Sequence, residues 1–392
     1  MSNGIILAIE TSCDETAISV LRFKHNSLEV LSNEVSSQVK LHAKWGGVVP
    51  NLAAREHVKN ITPILELSLI NAGIEIKDIC LIAVTEGPGL IPALMIGTNF
   101  AKTLAYLWKK PLIGIHHIEG HIYANFVGGN PKSKIQNPKN RMKFPALALV
   151  VSGGHTQLVL MKDHLKYEIV GQTLDDAVGE AFDKVARILD IGYPGGPAVS
   201  AMAEKFQNPN DKFQIKSDTG YEIRDTKYKI RFPRPMMKKQ GFNFSFSGLK
   251  TAVLYETKKH LARNASRNEA GGSNPSFDKS YIAAICHEFQ QAAIDVLIHK
   301  TLKAAEKHNV KTIMLAGGVS ANTELRKQLD EAITEFMPDT YYIMPDTSLT
   351  GDNAAMIAAA AAFRWQKMNE NQKKKVLDSW KTLQPDANLK LN

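Results

Sequence analysis

Twice in this chain an apolar strand runs into a short polar loop and out into a second strand. Residues 5–10 lead into Thr11-Ser12-Cys13-Asp14-Glu15-Thr16 and then the apolar segment 17–23. Residues 146–151 lead into Ser152-Gly153-Gly154-His155-Thr156 and then 157–160. A strand without polar alternation must be covered on both faces, so each run demands a central place in a layered sheet. The repetition of one plan far apart in the chain points to an internal duplication. Further strands at 81–85 and 312–315 end in the loops Glu86-Gly87-Pro88-Gly89 and Ala316-Gly317-Gly318-Val319-Ser320-Ala321-Asn322. Helical patterns follow them, as at 92–108. Strands alternating with helices make the class α/β.

With 392 residues, of which 44% are hydrophobic, the chain outgrows a single core and is expected to form two lobes. The boundary is placed at 144/145, beside a stretch at 128–143 rich in Asn, Pro and Lys. A second polar stretch, 264–278, reads as another surface insertion. No apolar run is long enough to span a bilayer, so no membrane partner is expected. The alanine-rich run 354–363 reads as a buried helix. The three cysteines, Cys13, Cys80 and Cys286, share no ligand spacing and suit a reducing compartment. The N-terminus carries no signal-peptide pattern. A net charge of +9 and a pI of about 9.2 suit a polyanionic partner such as RNA, or serve solubility alone.

The densest chemistry lies in His116-His117-Ile118-Glu119-Gly120-His121. His117 and His121 are four apart, so on a helix both rings leave one face and can share a metal. The segment follows the apolar run 112–115, where a strand hands over to a helix, a usual place for α/β sites. No third ligand is local. Asp352, in the polar loop before the alanine-rich helix, either caps that helix or completes a two-histidine, one-carboxylate site. Three glycine loops, at 151–154, 193–197 and 315–319, allow backbone N–H groups to approach a phosphate. Together they suggest a nucleotide in a cleft, though none matches a P-loop or G-x-G-x-x-G pattern. Glu180, Asp183 and Lys184 read as a solvated helix end. The segments 231–235 and 243–250 interleave basic and aromatic residues, which serves either RNA contact or a buried strand with flanking charge.

Taken in order, these motifs resemble the tRNA N6-adenosine threonylcarbamoyltransferases, formerly called O-sialoglycoprotein endopeptidases. The resemblance runs from Ile5 to about Ala362 and rests on the stretches 9–16, 116–121, 152–156, 179–184, 193–197, 244–250, 317–322 and 351–353. The form of 116–121 and His155 after the glycines are similar to the family's bacterial and mitochondrial branch. The resemblance implies a two-lobed actin/Hsp70/sugar-kinase-like fold, with duplicated ribonuclease-H-like sheets and a nucleotide cleft between lobes. Lobe 1–144 would carry the metal histidines and lobe 145–392 the adenylate loops, with helix 353–365 returning to the first. It implies transfer of threonylcarbamoyl from threonylcarbamoyl-AMP to N6 of the adenosine 3′ to the anticodon, position 37, in tRNAs reading ANN codons. AMP is released, and a separate synthase makes the donor.

The family's metal ligands fall on His117, His121 and Asp352, holding one divalent ion, Fe2+ or Zn2+. Its adenylate-binding positions fall on Val150, Val151, Ser152, Gly153, Gly154, Asp183, Gly196 and Asn322, with Ser200 as a further ribose contact. Asp14, Glu15 and His155 lie near the reacting group as candidates to take the N6 proton. A homodimer and accessory subunits are the implied partners beside tRNA. The polar insertions and basic pI suit the mitochondrial matrix, with a bacterial cytoplasm as the alternative. Three other functions compete, one of them a sugar or acetate kinase of the same fold, to whose motifs the match is poor. A metalloprotease would use His-Glu-x-x-His, but here Ile118 follows the first histidine and Glu119 comes one position late. A non-catalytic nucleotide-binding subunit would not need the metal residues.

Overall fold

The computed structural model describes residues 3–24, 27–127, 142–206, 230–265 and 277–391. The polar insertions expected at 128–143 and 264–278 lie largely outside the described residues. In chain order the first elements are β1 (Gly4–Glu10), β2 (Glu15–Lys24), β3 (Ser27–Ser37), α1 (Val39–His42), α2 (Pro50–Ala72), β4 (Ile79–Gly87), α3 (Ile91–Trp108), β5 (Leu112–His116) and α4 (His117–Tyr123). Next come β6 (Ala146–Val151), β7 (Thr156–Asp163), β8 (Lys166–Gln172), α5 (Val178–Leu189), α6 (Gly195–Phe206), α7 (Ser247–Ala265) and α8 (Lys279–Lys307). The chain closes with β9 (Thr312–Ala316), α9 (Thr323–Phe336), β10 (Tyr341–Ile343), α10 (Ala354–Lys367) and α11 (Glu370–Lys375).

The strands form two five-stranded sheets, ordered β3-β2-β1-β4-β5 and β10-β9-β6-β7-β8. Read from β8, the second sheet repeats the first position by position. In each, the opening strand pairs parallel with the fourth, β1 with β4 and β6 with β9. The fourth strand in turn pairs parallel with the fifth. The duplication expected from the two strand–loop–strand runs is therefore present as one topology used twice. The architecture is the α/β plan of the actin/Hsp70/sugar-kinase type.

By compactness the chain divides into residues 1–151, 157–170 and 304–392 as one unit, and 152–156 with 171–303 as the other. The first holds nearly all of both sheets. Along β1, Ile6 and Ala8 enter one core while Leu7 and Ile9 enter another, and β4 splits its residues in the same way. This period-two division fills both faces of the first sheet and explains the unbroken apolar runs. One face is covered by α2 and α3. The other shares a core with the second sheet's β6 and β9, and α4 and α10 are packed into it. Residues 354–362 of α10 are wholly buried. Alanine suits a helix crowded on all sides, because a larger side chain would force its neighbours apart. The second unit is built on α5, α6, α7 and most of α8, with Phe182 and Phe289 edge to face at 4.9 Å.

The crossing of α4 and α10 is the tightest joint of the first unit. A methyl group added at Gly120 would lie 2.7 Å from Ile357 Cδ1 and 3.2 Å from Met356 Cγ. At the same joint, Arg364 Nε and Nη2 donate to the two carboxylate oxygens of Glu119, at 2.6 and 2.8 Å. Such a bidentate pair fixes orientation as well as distance. Gly120→Val is expected to overpack this joint and cost about 1–3 kcal/mol of stability. Thermal unfolding checks this, and an unchanged midpoint would contradict the packing described.

Candidate metal centre

The chain turns from β5 into α4 at His116. The His116 side chain caps α4 by accepting from Ile118 N at 3.1 Å, while Nε2 meets the Leu389 carbonyl at 3.0 Å. Since a carbonyl only accepts, the proton sits on Nε2 and His116 is a neutral cap. Burial pushes its pKa down to about 4. Of the three clustered histidines, this one serves the backbone.

The other two do project from one face of α4, their rings 4.7 Å apart. They meet Asp352, which precedes α10. The ligand atoms of His117, His121 and Asp352 all lie within 4.8 Å of one another. Asp352 Oδ1 is 3.5 Å from His117 Nε2 and 3.1 Å from His121 Nε2. The capping role also open to Asp352 belongs instead to Asn353, whose side chain accepts from Met356 N at 3.0 Å.

Glu10, at the carboxyl end of β1, sits behind His117. Its Oε2 is 3.1 Å from His117 Nδ1 and accepts from Thr85 Oγ1 at 2.6 Å; its Oε1 accepts from the Ser12 amide. Ser12 Oγ lies 3.2 Å from the same Nδ1. The centre thus stands at the carboxyl ends of the parallel strands β1, β4 and β5, where open α/β sheets place their ligands. Burial alone would lower the His117 pKa, but the Asp352 and Glu10 carboxylates overcome it and hold the ring up at about 9. Burial likewise opposes the charge on Glu10, and His117 reverses that, leaving the carboxyl below its ordinary range.

Do these residues fit a metal? Both ring nitrogens of His121 are buried without a hydrogen bond among the described residues. Asp352 Oδ1 is near its Nε2 but not placed for one. A buried imidazole whose nitrogens make no hydrogen bond costs free energy, and a cation shared with His117 and Asp352 would remove that cost. The Glu10 contact at Nδ1 directs the His117 Nε2 lone pair to the same place, the usual carboxylate–histidine support of a ligand. The donor set of two imidazoles and one carboxylate suits a divalent transition ion.

The loop 11–16 is held against this centre. Thr11 Oγ1 donates to Ala93 O at 3.0 Å, and Leu90 N donates to Ser12 O at 2.8 Å. Beneath the loop, His57 is fully buried. Its Nε2 meets Cys13 O at 3.0 Å and its Nδ1 meets Thr16 Oγ1 at 2.8 Å. Burial lowers its pKa, consistent with a neutral ring that donates to Cys13 O and accepts from Thr16. Asp14 is buried in this loop. Burial, then the charges of Asp14 and Asp352, push Glu15 well above the ordinary carboxyl range. Glu10, Ser12, His57 and Thr85 were not singled out in the sequence. An acidic residue closing an apolar strand is the one signal that marks Glu10.

The other expected site residues divide between the units. In the first, Val150 and Val151 end β6 in full burial. Gly317, at φ +88°, brings its backbone so near that a Cβ there would lie 2.4 Å from Val151 O. Asn322 caps α9, accepting from Leu325 N at 2.8 Å. In the second, Ser152 and His155 close a turn through Ser152 N to His155 O at 2.8 Å and His155 N to Ser152 Oγ at 3.1 Å. Gly153 and Gly154 are exposed at its tip with open space where side chains would stand. Asp183 leaves the solvated helix end expected for it and accepts from Gly195 N at 2.7 Å, beside Gly196. Ser200 donates to Gln290 at 2.8 Å. The aromatic residues of 243–250 belong to the core: Phe244 and Phe246 are fully buried, so they are not free to stack on bases.

Residues 29–359 match the model of the family TsaD, tRNA N6-adenosine threonylcarbamoyltransferase. The chain belongs to that family. It is 46% identical to the tRNA N6-adenosine threonylcarbamoyltransferase of Listeria welshimeri over 358 residues, 91% of this chain and 90% of that one. Against the protein of the same name from Thermomicrobium roseum it is 46% identical over 369 residues, 93% of this chain and 92% of that one. Among solved structures, HypF of T. kodakarensis shares the fold at a TM-score of 0.52 and 13% identity, over 95% of this chain and 49% of that one.

For this family member the centre makes two measurable demands. Glu10→Gln keeps the shape beside His117 but removes the charge, and is expected to weaken divalent-metal affinity by about 10–100-fold. Competition with a chelator measures it; unchanged affinity would show that Glu10 does not orient the ligand. In the metal-free protein His117 is protonated at neutral pH, so an entering cation must displace that proton. Apparent affinity is expected to rise about tenfold per pH unit between pH 7 and the folded pKa of about 9. Over the same window the protonated ring's own contribution to folding, complete below its ordinary value of 6.5, is lost. A pH-independent affinity would contradict the pairing.

Proposed function

We propose that the chain transfers a threonylcarbamoyl group from threonylcarbamoyl-AMP to N6 of the adenosine 3′-adjacent to the anticodon in tRNAs reading ANN codons. The observation that carries this reading is the family match along nearly the whole chain, joined to the His117–His121–Asp352 cluster, in which both buried ring nitrogens of His121 lack a hydrogen bond among the described residues. His117, His121 and Asp352 would hold a divalent ion, iron or zinc, which would supply Lewis-acid charge for the donor's phosphate or threonyl oxygens.

The chain's own residues do the rest. The N6 amine attacks the carbamoyl carbon, a C–N bond forms, and the C–O bond to AMP breaks with its electron pair leaving on the phosphate. The departing N6 proton needs an acceptor among Asp14, Glu15 and His155. We assign it to Glu15, which stands in the loop held against the metal centre and whose carboxyl is raised above its ordinary range by burial and the charge of Asp14. We assign the adenylate to the backbone of Val150, Val151, Ser152, Gly153 and Gly154, with Asp183, Gly196, Ser200 and Asn322. Gly153, Gly154 and Gly196 have the open space that close approach of a phosphate needs. An exocyclic amine is a weak nucleophile, so orientation of donor and acceptor supplies much of the rate. The protease reading has a further obstacle beyond its spacing: the Glu119 carboxylate is fully buried and committed to Arg364, so it is not placed to activate water. The reducing chemistry of a mitochondrial matrix suits the isolated cysteines, and we propose that location.

Purified protein, an ANN-reading tRNA, threonine, bicarbonate, ATP and a separate adenylate synthase test the reading. Threonylcarbamoyladenosine is expected by mass spectrometry, with His117→Ala and Asp352→Ala each losing at least about a hundredfold in rate. Full activity in either variant would overturn the role given to the centre. No product even with bacterial accessory subunits added would overturn the transfer itself.

A further inference from the structure

Lys300 of α8 is fully buried and forms no ion pair with a carboxylate among the described residues. Its ammonium donates to two backbone carbonyls, Lys239 O at 2.9 Å and Gly241 O at 2.8 Å. An aliphatic side chain of similar length would fill this place without the cost of desolvating a charge. The neighbouring His299 binds the Met237 carbonyl, so the segment 237–241 is pinned along α8 by positively charged or donating side chains. Within that segment Lys238 and Lys239 are exposed, and so is Lys303, one helical turn beyond His299. Three other cations of this unit are held in ion pairs: Lys184 and Lys250 meet Asp176, and Arg234 meets Glu288 and Asp295. Among the described residues no such pair forms at Lys238, Lys239, Lys300 or Lys303. These groups feel one another, for after burial it is Lys303 that does most to lower both His299 and Lys300.

We propose that Lys238, Lys239 and Lys303, set over the buried charge of Lys300, form a landing site for the phosphate backbone of the tRNA. The inference rests on the tRNA-modifying function proposed above. Lysine is a compact point charge that suits phosphate without demanding one geometry. The nearby rings of Phe242, Phe244 and Phe246 are buried, so this surface reads charge and not base identity. The buried ammonium adds a fixed charge that mobile salt screens poorly.

Binding of an unmodified tRNA transcript, followed by filter retention from about 50 to about 200 mM salt, tests the patch. The variant Lys238→Gln/Lys239→Gln/Lys303→Gln is expected to flatten the slope of log affinity against log salt by about 2–3. Its KM for tRNA should rise while its rate at saturating tRNA and its metal content stay at the wild-type level. A control with equal charge removed, Lys258→Gln/Lys259→Gln/Arg263→Gln on α7, is expected to keep the wild-type slope. An unchanged slope in the first variant, or an equal loss in the control, overturns the patch while wild-type modification of tRNA still stands. Wild-type protein that neither binds nor modifies tRNA overturns the functional reading itself.

Discussion

The closeness of α4 to α10 is the constraint on which the rest of the first unit depends. Gly120 sets the distance, since any side chain there would strike Ile357 and Met356. The Glu119–Arg364 pair sets the angle. Residues that perform these two tasks lie between His117 and His121, so the same short helix carries the ligands and the means of aligning them. Asp352 arrives from the other side of the joint because α10 is held there by its wholly buried alanine face. Packing, not local propensity, is what turns a histidine pair into three converging ligands.

The electrostatics follow from that packing. Glu10, Glu119, His117 and His121 are all buried, and burying charge without partners is costly. Each group but one has its partner in the fold: Glu119 has Arg364, and Glu10 has His117, Ser12 and Thr85. The exception is His121, whose ring nitrogens make no hydrogen bond among the described residues although Asp352 Oδ1 lies 3.1 Å from Nε2. Sites that bind or react commonly leave one local rule unsatisfied in this way, with the surroundings holding the defect in place. A network satisfied everywhere except at one imidazole, facing a carboxylate and a second imidazole, is shaped for a cation.

Much of this was legible in the sequence, and the reasons differ from residue to residue. The two strand–loop–strand runs carried the duplication because strands covered on both faces must be apolar throughout. The i, i+4 spacing placed His117 and His121 on one face because about 3.6 residues make a helical turn. Asp352 was recognisable only as one of two alternatives, cap or ligand, and the choice depended on Asn353 taking the cap. Thr85 and His57 could not be read, since their roles arise from contacts between strands and helices distant in sequence, and Glu10 was marked only by its place at the end of an apolar strand. The aromatic residues at 243–250 show the reverse difficulty: interleaved charge and rings look alike in a core-facing segment and in an RNA surface, and only burial separates them.

The central claim is that His117, His121 and Asp352 hold one divalent ion. X-ray absorption at the metal edge of the loaded protein tests it most directly. Scattering from two imidazole rings is predicted, falling to one when His121 is replaced by alanine in protein that still folds. A spectrum without imidazole scattering, or one unchanged in that variant, would contradict the account.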